Sequence, residues 1–113
     1  MPHLALVTVT CPDTGAARSL AHKALEAGLA ACVSIPGPLQ SMFRWQGAVE
    51  TEDEVDLHFK TTPARAPELA ALIRRHHPYD LPVILTLTAE VDDETFAWAE
   101  AETSPATLRG AGD

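Results

Sequence analysis

The sequence predicts an α+β fold, a βαββαβ sandwich with a long central hairpin and one more helix at the C-terminal end. Three stretches carry that reading. Residues 4–10, LALVTVT, form a short apolar run rich in β-branched side chains, the composition of a buried strand. Residues 16–27 place Ala17, Leu20, Ala21, Ala24 and Leu25 on one face, with Arg18, His22 and Glu26 outside, which is helical spacing. Residues 39–62, LQSMFRWQGAVETEDEVDLHFKTT, read as two strand arms about Gly47, and the second arm alternates apolar and polar from Val55 to Lys60. Two arms of that length are more than one small domain can cover. The hairpin is therefore expected to pack against another copy of the chain.

Each element has its own start and stop signals. Cys11-Pro12 ends the first strand, and Asp13 or Thr14 caps the first helix, because a short side-chain oxygen accepts the orphan amides of a first turn. Gly28 stands where a left-handed residue closes that helix. Residues 29–35 are a second strand, which Pro36-Gly37-Pro38 is expected to break or kink. Pro63 opens the second helix with Pro67 in its first turn; Leu69, Leu72 and Ile73 face inward. Arg74, Arg75, His76 and His77 close it, where donors suit the helix dipole, and Pro78 stops it. Residues 83–88, VILTLT, read as another central strand. Asp92, Asp93 and Glu94 open a third helix carrying Phe96, Ala97 and Trp98. This order suggests the ferredoxin-like split βαβ architecture, strands 4-1-3-2 with the first two helices on one face. One domain is expected over residues 1–103, followed by a small, polar tail over 104–113.

Charge narrows the partners. A formal net charge of −8 argues against nucleic acid, whose affinity comes mainly from neutralised phosphates, and against an anionic membrane surface. No apolar run approaches the ~20 residues of a membrane span, and no secretory leader precedes the first strand. The two cysteines, Cys11 and Cys32, then read as free thiols of a cytoplasmic protein. No nucleophile elbow and no glycine-rich phosphate loop is present, so the chain reads as a binding protein and not an enzyme.

The topology suggests one constellation. The end of the first strand and the end of the second helix lie at the same pole of the sheet, which brings Cys11 within reach of His76 and His77. One thiolate with one or two imidazoles suits copper or zinc. The same residues also read as a buried small hydrophobe and a helix cap, and spacing alone leaves both readings open. Cys32 reads as a core cysteine. Lys60 shares the polar face of its strand with Asp56 and His58. Phe43 and Trp45 share one face of their arm as packing or interface residues, and Arg44 points the other way, toward one of the acids. The block Glu50, Glu52, Asp53, Glu54 lacks the spacing of a calcium loop and reads as a solvated hairpin tip.

Several segments together resemble one family, the CutA divalent-cation tolerance proteins. They are Leu29-Ala30-Ala31-Cys32-Val33, Pro36-Gly37, Ser41, Phe43-Arg44-Trp45-Gln46-Gly47, Glu54-Val55, Leu57, Lys60-Thr61 and His77-Pro78-Tyr79-Asp80-Leu81-Pro82-Val83-Ile84. The chain departs from the family at Val83 and Gln46, where Glu is common. The resemblance implies a ferredoxin-like homotrimer whose hairpins cross into neighbouring subunits, with Phe43 and Trp45 at the interface. It also implies a copper site at Cys11, His76 and His77, with zinc or another divalent metal as the alternative. A second function class shares the trimer: a sensor like the PII signalling proteins, taking a small anion at the subunit clefts through Arg44, Lys60 and Tyr79.

Overall fold

A computed structural model describes residues 1–104; the expected tail lies outside them except for Ser104. The elements are β1 (His3–Cys11), α1 (Thr14–Glu26), β2 (Cys32–Trp45), β3 (Ala48–Thr61), α2 (Ala66–His76), β4 (Leu85–Glu90) and α3 (Asp93–Glu102). The strands form one antiparallel sheet in the order β2-β3-β1-β4. This is the ferredoxin-like arrangement the sequence predicts.

Period-two alternation decides which residues meet α1 and α2. Ala5, Val7, Val9 and Cys11 of β1 and Val55, Leu57 and Phe59 of β3 point to one side. There they pack on Ala17, Leu20 and Ala24 of α1 and on Ala66, Leu69 and Ile73 of α2. The alternate residues, Thr8, Thr10, Asp56, His58 and Lys60, occupy the other side and are half-buried. Leu25, expected on the inner face of α1, lies at its exposed margin.

The caps follow the sequence. Asp13 Oδ1 accepts the Ala16 amide at 2.8 Å, and Asp92 Oδ1 accepts the Thr95 amide at 2.7 Å. After α1, Gly28 takes φ 67°. Its N–H bonds to Leu25 O and that of Leu29 to Ala24 O, the paired bonds of a Schellman ending.

One expectation is resolved and two need correction. Of the break or kink expected at Pro36-Gly37-Pro38, the structure shows the kink: β2 runs through it with a bulge between Ser34 and Gly37. Proline is tolerated there because β2 lies at the edge of the sheet and needs no outward donor. Residues 83–88 are not a central strand. β4 pairs only with β1, starts two residues later, and is exposed along its whole length. Cys32 is not a core residue. It opposes Lys60 on the far side of the sheet and is half-buried.

The hairpin is longer than residues 39–62. β3 pairs with β1 only from Val55 onward, so Leu39 to Glu54 projects as a two-stranded arm. Gln46 (φ 50°) and Gly47 (φ 83°) form its two-residue turn, with the positive φ at both positions that a type I′ turn demands.

Candidate functional site

The site lies where β1, β3 and α2 end together. α2 stops at His76 because a residue before proline is driven out of helical geometry, and His77 precedes Pro78. His77 is extended, with ψ 140°. The break separates the two histidines. His76 stays on the helix and is exposed, while His77 turns inward and is only 8% exposed.

His77 meets three backbone or sulfur partners. Its Nε2 lies 2.8 Å from Thr10 O and 3.8 Å from Cys11 Sγ. Its Nδ1 lies 3.0 Å from the Tyr79 amide. Thr10 O only accepts and the Tyr79 N–H only donates. The ring hydrogen therefore belongs on Nε2 and the lone pair on Nδ1. Cys11 is fully buried. Burial, then the charges of Glu54 and Asp13, pushes its thiol up to about 11. It is therefore a thiol at neutral pH.

Behind this pair lies a carboxylate that periodicity places on the solvated side. Glu54 is only 6% exposed. Its Oε2 accepts from the Tyr79 hydroxyl at 2.8 Å and from Thr10 Oγ1 at 3.0 Å. Burial works to raise its carboxyl, but donors from Ser41, Tyr79 and Thr10, with the field of His77, outweigh it and hold it below the ordinary value. Tyr79 is pushed well up, by burial first and then by its bond to Glu54 and that group's charge. The Tyr79 ring also packs on the His77 ring, centroids 4.8 Å apart.

Sequence reasoning missed Glu54 and Thr10. Glu54 stands among four acids, and alternation gives all polar-face residues of β3 the same standing. The available signal is its place one residue before Val55, where the arm leaves the sheet.

The spacing of Cys11 and His77 suits one ion. Metal–sulfur and metal–nitrogen bonds of about 2.3 and 2.0 Å put their donors about 3.6 Å apart at a tetrahedral angle. The third expected ligand, His76, does not converge on them: among the described residues no three His, Cys, Asp or Glu side chains gather closely enough to hold a metal. Arg44 and Lys60 are not brought together within one chain. Arg44 opposes Val49 near the tip of the arm and Lys60 opposes Cys32 at its base, on the order of 35 Å along β3. Arg44 also lacks its expected acid partner among the described residues. Glu50 opposes Phe43 and shares its face with Glu52 and Glu54, whereas Arg44 shares the other with Asp53. Asp53 accepts instead from Gln40. Phe43 and Trp45 do share a face and stay well exposed.

The CutA1 divalent ion tolerance protein model matches residues 5–102. The chain belongs to the CutA family. A relative from Citrobacter koseri, a divalent-cation tolerance protein CutA, is 34% identical over 102 residues, covering 89% of each chain. The fold is shared with CutA from Synechococcus elongatus, at TM-score 0.84 and 40% identity over 92% of this chain and 93% of that one. It is shared too with a periplasmic divalent cation tolerance protein CutA from Archaeoglobus fulgidus, at TM-score 0.85 and 28% identity over 89% and 99%.

Proposed function

We propose that this CutA protein works as a homotrimer that binds divalent cations, copper first with zinc as the alternative, and serves divalent-cation tolerance without enzymatic chemistry of its own. The proposed compartment is the cytoplasm. One observation carries the metal reading: Cys11 Sγ and His77 Nε2, far apart in sequence, are held 3.8 Å apart at the buried end of β1. A soft sulfur beside an imidazole is a donor pair that favours copper and zinc over magnesium or calcium. The names of the family and of its relatives support a role in divalent-cation tolerance.

The trimer reading rests on what one chain leaves uncovered. Leu85 and Leu87 of the edge strand β4, and Leu81 and Val83 just before it, are all exposed, Val83 at 70%. The arm carries Met42, Phe43, Trp45 and Val49, all exposed. An unpaired strand edge beside apolar side chains is a surface that proteins ordinarily cover.

Calorimetric titration of the whole protein with copper tests the metal reading. Cys11→Ala and His77→Ala are each expected to weaken binding by at least tenfold. Unchanged affinity in both refutes the site.

A further inference from the structure

The hairpin leaves the body at one residue. β3 pairs with β1 as far as Val55, opposite Cys11, and Glu54 is the next residue out. From Glu54 to the turn the arm is two strands and no more, seven residues on each, about 23 Å long. A two-stranded ribbon twists more than a wider sheet, and alone it is marginally stable. Its direction therefore has to be set at the root.

Glu54 stands at that root and is bonded to both sides of it. It shares a face with Glu50 and Glu52, which are exposed, yet it is buried. Its Oε2 accepts from Thr10 Oγ1 at the end of β1 and from the Tyr79 hydroxyl after α2. The Ser41 hydroxyl, on the other strand of the arm, donates to the same carboxylate. Two donors thus come from the body and one from the arm. Among the described residues no Lys, Arg or His nitrogen forms an ion pair with Glu54, so hydroxyls meet its charge.

The body donors are themselves held in place. His77 Nε2 donates to Thr10 O, and the Tyr79 N–H donates to His77 Nδ1. Four hydrogen bonds close a ring, from Glu54 to Thr10, to His77, to Tyr79 and back to Glu54. Every donor in it faces an acceptor, and bonds joined in such a network support one another.

We infer that this ring aims the arm: Glu54, locked between the end of β1 and the turn after α2, sets the direction in which the hairpin leaves the sheet and so where Phe43 and Trp45 stand. Thr10 and Tyr79 are positioning residues here, acting on the arm through Glu54. The inference uses these hydrogen bonds alone and does not rest on the metal reading.

Hydrogen exchange of the whole protein tests it, with the arm, residues 40–53, read against the body strands, residues 5–9 and 57–59. A segment that opens locally exchanges faster than the rest of the fold. Thr10→Val and Tyr79→Phe each delete one body donor and keep the shape of the side chain. Glu52→Gln, an exposed acid on the same face, is the control. Both donor variants are expected to speed exchange in the arm about tenfold, the order set by losing one hydrogen bond to a charged group, and to leave the body unchanged. Glu52→Gln is expected to exchange like the wild-type protein. An arm as protected as wild type in either donor variant overturns the inference. Equal acceleration of arm and body also overturns it, since the ring is then a general stabiliser. So does an arm loosened as much by Glu52→Gln, since charge on the face and not the ring then governs it.

Discussion

The Tyr79 hydroxyl donates to Glu54 Oε2 at 2.8 Å, and through that bond the turn after α2 is fastened to β3 where the arm leaves the sheet. Glu54 is held below its ordinary carboxyl value in the folded protein. A depressed folded value adds stability that is fully present above the unfolded carboxyl range, near pH 4.3, and is lost as pH falls through the folded value. Glu54→Gln keeps an acceptor oxygen but no charge. It is expected to cost ~1–3 kcal/mol at pH 7, with the deficit shrinking steadily below about pH 4. Chemical denaturation from about pH 2.5 to about pH 8, a range that runs from below to well above the ordinary carboxyl values, checks this. A deficit that stays constant would assign Glu54 a packing role only.

The two thiols should differ in reactivity. Cys11 is fully buried and held as a thiol, whereas Cys32 is half-buried. A thiolate is the attacking species, and access limits it. Iodoacetamide at pH 8 should label Cys32 first and leave Cys11 until denaturant is added. Peptide mass mapping reads the order, and early labelling of Cys11 contradicts the burial described.

Gln46 is a non-glycine residue at φ 50° in the hairpin turn. The left-handed region costs an ordinary L-residue about 1–2 kcal/mol, and Asn tolerates it better. Gln46→Asn is expected to stabilise the protein by about 0.5 kcal/mol, seen as a higher denaturant midpoint with an unchanged slope. A lower midpoint would mean that Gln46 makes contacts in the assembly that outweigh its strain.

Self-association has a direct reading. The chain has a mass of 12.1 kDa, and sedimentation equilibrium should return three times that value. Leu85→Glu, on the exposed edge strand, should shift the mass toward one chain or drive precipitation. A wild-type protein that sediments as a stable monomer at micromolar concentration removes the trimer.

Most of the fold is legible in the sequence because local signals agree with it. Asp13 and Gly28 bound α1 where expected, and the Leu69-Leu72-Ile73 face marks α2, which starts at Ala66, three residues after the Pro63 expected to open it. The failures have physical causes. Pro36 and Pro38 leave break and kink open, and only the edge position of β2 lets a bulge take them as a kink. Residues 83–88 read as a central strand, yet β4 is an edge strand exposed along its length, because apolar, β-branched composition does not tell a central strand from an edge one. The site was half legible. Topology brings Cys11 to His77, but the parting of His77 from His76 depends on Pro78 and on the pull of Thr10 O. The burial of Glu54 depends on Ser41, Thr10 and Tyr79, donors from three separate segments, and nothing local to residues 50–54 distinguishes it.

The proposed sharing of one divalent cation by Cys11 and His77 has a spectroscopic signature. Cobalt(II) titration of the whole protein tests it most directly, read by the thiolate-to-metal charge-transfer absorption in the near ultraviolet. A shared site gives a band that saturates at one cobalt per chain and is absent from both Cys11→Ser and His77→Gln. No band in the wild-type protein, or a band of equal strength in Cys11→Ser, contradicts it.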